Sequence, residues 1–364
     1  MGQNINLNTE VLNLDISIIV VALNESATIE ECLQSILSMD YQSGSFEIIV
    51  VDGGSKDGTI DIVNQIVEKD TRVRLIMELR KGTSAARNTG FFASKYDHVA
   101  FTDADCVVPR NWLRVLHDAF VVEQGNDPSV AAVGGVTKTD EQVSGKFVKA
   151  LELSLNSSLG SFQFSTTGKS YFKRREVKDI PTLNILLDKS KVEDVGAFDE
   201  SLRSEAEDAE LCYKLVKHGY KLISTPESSV VHKYRSGPGQ WWRNMKRYGR
   251  GRMRLMKRYP DMINIFYLMP IIFLLSLIFS PVIAAASYYH FNWPDFITYF
   301  FMLPLLYFPM IISFSLFIAK ANKRLDLFPR IALAYMVTHI GYSLGELQGI
   351  FRSIKSGGLS DKTK

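Results

Sequence analysis

Three times in the first hundred residues a short β-branched apolar run gives way to a loop and then to apolar residues at helical spacing, and a fourth such run follows. This alternation limits the fold of the 364-residue chain more than any other feature. Ile16-Ser17-Ile18-Ile19-Val20-Val21-Ala22 reads as a strand covered on both faces. Asn24-Glu25-Ser26 interrupts it, and Ile29, Leu33, Ile36 and Leu37 then recur at helical spacing. Thr28 and Glu31 are placed for a capping box. The pattern repeats as a strand at 46–51, the turn Asp52-Gly53-Gly54-Ser55, and the stripe Ile60, Val63, Ile66 and Val67. A strand at 73–77, a helix at 83–94 and a strand at 98–102 complete it. The expectation is an α/β fold with a mostly parallel, Rossmann-like mixed sheet covered by helices. Ligands of such sheets bind beyond the carboxyl ends of the strands, where Asn24, Asp52 and Asp103 all stand. Further strands are expected at 130–137 and 222–231 and a helix at 209–218, stopped by Gly219. Residues 147–194 show no dominant period and read as variable, substrate-facing structure.

Two acidic groups carry the chemistry. Phe101-Thr102-Asp103-Ala104-Asp105 places two carboxylates at the end of a strand, suited to holding a hard divalent cation, Mg2+ or Mn2+, against phosphate oxygens. His232, after the run Ser229-Val230-Val231, is a candidate third ligand, although a lone histidine is more often structural. About a hundred residues after the first pair comes Glu205-Ala206-Glu207-Asp208-Ala209-Glu210. Acids in a first helical turn suit the helix dipole, but four in six residues exceed that need. A base must reach an acceptor hydroxyl; Asp208 is the candidate and Glu207 the second. Asp52 is placed to accept a hydrogen bond from a nucleobase, and Asp57 to cap the following helix. Arg87, in Arg80-Lys81-Gly82-Thr83-Ser84-Ala85-Ala86-Arg87-Asn88, sits in a cationic segment that opens a helix, an arrangement that suits phosphate.

Beyond residue 260 the character changes. Residues 265–289 and 296–319 contain no charged side chain. Each is long enough to cross a bilayer core of about 30 Å at about 1.5 Å per residue, with prolines at 270, 281, 304 and 309 as expected kinks. A third run, 331–351, is interrupted by His339, Glu346 and Gln348. Basic residues mark the cytosolic side, and they cluster at 243–258 and at 320–330 while residues 290–294 have none. Two spans with both ends in the cytosol fit this. A third span conflicts with the basic tail, so that run either spans fully, which its length favours, or is re-entrant or interfacial. Residues 237–261 read as an interfacial helix, with Trp241, Met245, Tyr248 and Leu255 on a lipid-facing side at headgroup depth. The net charge of +3 gives no basis for nucleic-acid binding. Three scattered cysteines show neither metal spacing nor a disulfide framework, and residues 1–13 lack a signal-peptide pattern.

Ile19 to Glu25, the Val51-Asp52-Gly53-Gly54-Ser55 turn, Ala86-Arg87-Asn88, Thr102-Asp103-Ala104-Asp105, Val195-Gly196-Ala197-Phe198-Asp199 and Glu207-Asp208 stand in the order seen in family 2 glycosyltransferases. The resemblance covers residues 15–234. It implies the GT-A fold, a nucleotide-sugar donor (a UDP-sugar above all), a divalent metal and inversion at the anomeric carbon. It places Asp52 and Asn24 near the uridine, Asp103 and Asp105 around the diphosphate and metal, and Asp208 as base; Glu25, Gly53 and Arg87 are further candidates at the nucleotide and His232 a further candidate at the metal. With its apolar tail the chain resembles succinoglycan-type exopolysaccharide glycosyltransferases, which build on polyprenyl-linked acceptors. The processive Gln-x-x-Arg-Trp motif is matched at Gln240 and Arg243, candidate acceptor or diphosphate contacts, but Asn244 stands at the Trp position. The implied organisation is a catalytic domain at 1–236, an interfacial region at 237–261, membrane helices within 262–352 and a polar tail at 353–364. The enzyme is then a multi-pass cell-membrane protein with its catalytic domain in the cytoplasm, contacting membrane lipid. Two other readings are a polyprenyl- or dolichyl-phosphate sugar synthase, which needs no strong base, and a non-catalytic nucleotide-sensing membrane protein.

Overall fold

The computed structural model describes residues 13–139, 145–157, 159–160, 173–233, 237–289 and 295–352. The expectations for the N-terminal segment, for the loop between the two uncharged runs and for the polar tail lie outside these residues. Contacts divide the chain into two units, residues 1–138 with 170–233, and residues 139–169 with 234–364.

In chain order the elements are β1 (Ile16–Ala22), α1 (Ile29–Leu37), β2 (Phe46–Asp52), α2 (Thr59–Val67), β3 (Val73–Met77), α3 (Thr83–Ala93), β4 (His98–Asp103), β5 (Cys106–Val107), α4 (Trp112–Asn126), β6 (Val130–Thr139), α5 (Lys146–Leu155), β7 (Arg175–Val177), β8 (Ile185–Asp188), α6 (Lys189–Asp194), α7 (Glu207–Lys217) and β9 (Lys221–His232). The helices that follow are α8 (Pro238–Arg258), α9 (Ile265–Tyr289), α10 (Asp295–Met302), α11 (Tyr307–Ala321) and α12 (Phe328–Phe351).

The first unit is built on a mixed sheet of order β3-β2-β1-β4-β8-β6-β9-β5, with β7 beside β9. Strands β3, β2, β1 and β4 run parallel. The two-faced apolar pattern of β1 explains its central place. Ile18 and Val20 enter a core with Leu33, Trp112 and Phe120, whereas Ile19 enters a second core with Phe91, Phe101 and Leu211. Because side chains alternate along a strand, one short run anchors helices on both sides of the sheet. The register sets Ala22 beside Asp52 and Val21 beside Asp103, so three strand ends finish flush and their loops share one edge.

Two local expectations differ. Thr28 and Glu31 form no capping box: Thr28 Oγ1 donates to the Glu25 backbone and carboxylate, and Glu31 pairs with Lys233. Residues 185–188, read within a variable segment, are a strand between β4 and β6 with Ile185, Leu186 and Leu187 buried. Ile185-Leu186-Leu187 is too short to display a period.

The second unit is helical. Residues 139–169, expected within the catalytic domain, fall here because α5 lays Leu151 and Leu155 against Trp241, Met245, Ala334 and Val337. The expectation that α8 turns its apolar side to lipid is corrected for three of its four residues: Trp241, Met245 and Leu255 are buried, whereas Tyr248 is exposed, α8 packs chiefly on α12, and Trp241 Nε1 donates to Thr338 Oγ1 at 2.8 Å. Glycines make this approach possible. A Cβ on Gly345 would lie 2.3 Å from the Lys246 carbonyl oxygen, and one on Gly249 would lie 2.1 Å from that of Tyr342.

The uncharged runs form α9, which continues through Pro270 and Pro281, and α10–α11, broken by a 3-10 turn at Leu303–Leu306 that contains Pro304. Two segments, Ile265–Ala286 and Thr298–Ala321, are long and apolar enough to cross a membrane. They are only 28% and 17% buried, unlike core helices. The third run, read either as a full span or as a re-entrant or interfacial segment, forms α12. Among the described residues α12 does not reach that apolarity, and its Thr338, His339, Ser343 and Glu346 turn into the protein, which α8 and α5 cover.

Candidate active site

The loops after β1 and β2 are hydrogen-bonded into one structure. Asn24 adopts φ 58°, a conformation that asparagine tolerates better than most residues. Its Oδ1 accepts from the Lys56 amide at 2.9 Å, and its own amide donates to Ser55 Oγ at 2.7 Å. The Glu25 amide donates to Thr59 Oγ1. Asp52 is fully buried: Oδ1 accepts from the amides of Gly54 and Ser55 at 2.8 and 2.7 Å, and Oδ2 from Ser55 Oγ at 2.6 Å. It therefore shapes the Gly53-Gly54 turn with both oxygens. Asp57 accepts from the Thr59 hydroxyl and amide and from the Ser26 amide, and these bonds, Thr59 foremost, hold its carboxyl well below the usual range.

Next along the edge is the pair at the end of β4. Asp105 leads into β5, which runs antiparallel to β9 with Cys106 opposite His232, and the Lys233 amide donates to the Asp105 carbonyl. This two-residue ladder sets His232 Nε2 2.9 Å from Asp105 Oδ2, across 127 residues of sequence. Burial disfavours a charged His232, but Asp105, Asp103 and Glu25 together outweigh it and raise the histidine pKa. Burial also raises the Asp103 carboxyl, with repulsion from Asp105 and Asp208 adding and Arg87 and His232 opposing.

Arg87 does not face an open phosphate site. It is buried on α3, with Nη1 2.6 Å from Glu207 Oε1 and Nη2 3.6 Å from Asp103 Oδ1. Burial would lower its pKa, but Glu207, Asp103 and Asp208 together raise it. The guanidinium thus ties the aspartate pair to the acidic cluster. Arg80 is likewise committed to Glu78 and Glu200.

The acidic cluster divides by partner. Ala206, at φ 65°, opens α7. Glu207 holds Arg87, and Glu210 is buried 3.1 Å from Lys214 Nζ. Asp208 remains partly exposed; it makes no ion pair among the described residues, and Oδ1 accepts from the Ala209 amide. It lies near enough to Arg87 and Asp103 to act on both electrostatically.

The positioning roles of several residues within the quoted motifs escaped the sequence reading. Gly82, at φ 117°, sits where a Cβ would come within 2.6 Å of the Arg203 backbone. There the Ser84 amide bonds the Arg203 carbonyl and the Thr83 amide bonds Ser204 Oγ. Asn88 clamps Phe198, donating to its carbonyl at 2.9 Å and accepting from its amide at 3.0 Å. Arg203 is itself at φ 61°. Strained backbone of this kind gathers at functional sites. The sequence signal was the cluster of small polar residues at the start of α3, which reads equally as a phosphate loop. Gln240 and Arg243 belong to the second unit and bond one another, Nη2 to Oε1 at 2.5 Å.

The donor set fits a divalent metal. Carboxylate and imidazole atoms of Asp105 and His232 stand together, with Cys106 Sγ in the same group. Asp105 and His232 would hold the ion, with Asp103 beside them.

Residues 17–188 match the model of glycosyl transferase family 2. This chain carries a family 2 glycosyl transferase domain. Over 254 residues it is 30% identical to the pre-mycofactocin glycosyltransferase of Mycobacterium tuberculosis, covering 68% of this chain and 48% of that protein. It is 29% identical over 245 residues to glycosyltransferase AglE of Haloferax volcanii, covering 66% and 73%. It is 27% identical to the poly-beta-1,6-N-acetyl-D-glucosamine synthase of Staphylococcus aureus, covering 67% and 56%. The chain spans about half the length of the mycobacterial and staphylococcal proteins. Among solved structures, the mannosyltransferase PcManGT of Pyrobaculum calidifontis, in complex with GDP-Man and Mn2+, shares the fold with a TM-score of 0.57 and 20% identity, covering 88% of this chain and 86% of that one. The glycosyl transferase domain therefore has the expected GT-A-like α/β fold, followed by an apolar helical region.

Proposed function

We propose that the protein is an inverting, metal-dependent glycosyltransferase that moves a sugar from a nucleotide-sugar, a UDP-sugar first, to a polyprenyl-linked acceptor at the cytosolic membrane face. The observation that carries this reading is the division of labour around Arg87. Glu207 and Glu210 are engaged in ion pairs, and Asp208, whose charge acts on Asp103, has none among the described residues.

In this reading the loops after β1 and β2, stiffened by Asp52 and Asn24, form the nucleotide seat, with Glu25, Gly53 and Asp103 along it. Asp105 and His232 hold Mg2+ or Mn2+, which offsets the diphosphate charge and stabilises the leaving nucleotide. Asp208 takes the proton of the acceptor hydroxyl as the hydroxyl attacks, a contribution of about 10²- to 10⁴-fold. Arg87 holds Glu207 and so fixes the start of α7. The apolar helices α9 and α10–α11 anchor the chain as a multi-pass protein in contact with membrane lipid. The pre-mycofactocin and poly-N-acetylglucosamine relatives, by their names, act in glycan transfer or assembly, which supports a role in polysaccharide or glycan assembly.

The test is to offer purified protein in detergent a panel of UDP- and GDP-sugars with and without polyprenyl acceptors. Nucleotide release that requires an acceptor supports the proposal. Release independent of every lipid acceptor sinks the lipid-linked part of it.

A further inference from the structure

The strand that carries the metal carboxylate also carries a thiol. Cys106 directly follows Asp105 and stands opposite His232 in the β5–β9 ladder; directly opposed side chains leave an antiparallel pair on the same face. Cys106 is fully buried, while the side chains of Asp105 and His232 keep 27% and 15% of their surface exposed. The ligating atoms of all three lie within 4.8 Å of one another. The site thus has a hard carboxylate and an imidazole toward solvent and a soft sulfur beneath them. Mg2+ and Mn2+ prefer oxygen and make little use of sulfur, whereas thiolate favours thiophilic ions, and zinc takes mixed sulfur, nitrogen and oxygen sets in tetrahedral geometry.

We propose that Asp105, Cys106 and His232 form a three-ligand seat for a thiophilic divalent cation such as Zn2+, Co2+ or Cd2+, in competition with the hard ion of the transfer reaction. The inference rests on the reading of Asp105 and His232 as metal ligands. On binding, a metal–sulfur bond replaces the S–H bond of Cys106 and the proton leaves to solvent. No electron is transferred. Transfer activity then becomes sensitive to thiophilic metals, and Cys106 is the residue responsible.

The experiment titrates metal-free full-length protein in detergent with CoCl2. The wild type develops an intense near-ultraviolet thiolate-to-cobalt band along with weaker visible bands. Cys106→Ser loses the near-ultraviolet band, keeps visible bands from Asp105 and His232, and loses Zn2+ affinity by on the order of tenfold or more with Mn2+ affinity little changed. X-ray absorption of the Zn-loaded wild type, which needs no variant to fold, shows one sulfur neighbour at about 2.3 Å. A purely nitrogen and oxygen shell, or a band that survives in Cys106→Ser and vanishes in Cys32→Ser, overturns the assignment while leaving the proposed metal site standing. Failure of any metal to bind overturns both.

Discussion

Asp208 and Glu207 are neighbours in sequence with opposite surroundings. Glu207 is buried against Arg87, and breaking such a pair leaves a buried guanidinium uncompensated, at a cost of about 3–5 kcal/mol. Glu207→Gln is therefore expected to lower the unfolding temperature as well as activity. Asp208→Asn is expected to fold normally, bind nucleotide and lose transfer by about 10²- to 10⁴-fold. If Asp208→Asn is active and Glu207→Gln is folded but dead, the base has been misassigned. Glu78 offers a separate test. Hydrogen bonds from Arg80, with Thr89 adding, lower its pKa from 4.5 to about 2. The folded value lies below the unfolded one, so its stabilisation is fully present above the unfolded pKa and is lost as pH falls through the folded one. The stability gap between wild type and Glu78→Gln should be widest near neutral pH and shrink between about pH 5 and pH 2. A gap constant over that window in thermal unfolding would contradict the role given to Glu78.

At the scale of elements, legibility in the sequence depended on burial together with the length of the buried run. Strands β1, β2 and β4 were readable because two-sided covering demands continuous apolar runs, and their ends located Asn24, Asp52 and Asp103. Strand β8 was not, because three apolar residues carry no period. The approach of His232 to Asp105 depends on a two-residue ladder, and the role of Arg87 on a carboxylate 120 residues away; neither distance is written in local pattern. The stripe on α8 was legible, but what covers it was not. The clue lay in Gly341, Gly345 and Gly349, which recur every four residues and so share one face of α12. Gly345→Val should cost about 3 kcal/mol by forcing the two backbones apart, read as a lower unfolding temperature in detergent. An unchanged unfolding temperature would show that α8 and α12 do not meet there.

For the whole molecule, the proposed topology puts the glycosyl transferase domain in the cytosol and residues 290–294 on the far side. The native cysteines are all buried, so labelling of single introduced cysteines should have low background. An impermeant thiol reagent added to intact cells should reach Asn292→Cys and not Asp61→Cys, at an exposed position of α2; the reverse pattern would separate the site from cytosolic nucleotide-sugars. The central claim is metal-dependent transfer at the edge formed by Asp103, Asp105, His232 and Asp208. Its most direct test follows radiolabelled sugar from nucleotide-sugar into the lipid fraction, using purified wild type and Asp105→Asn with Mn2+ and with excess chelator. The account predicts transfer by the wild type with Mn2+, its loss on chelation with recovery when Mn2+ is restored, and near-complete loss in a folded Asp105→Asn variant. Full transfer in excess chelator, or by Asp105→Asn, would contradict it.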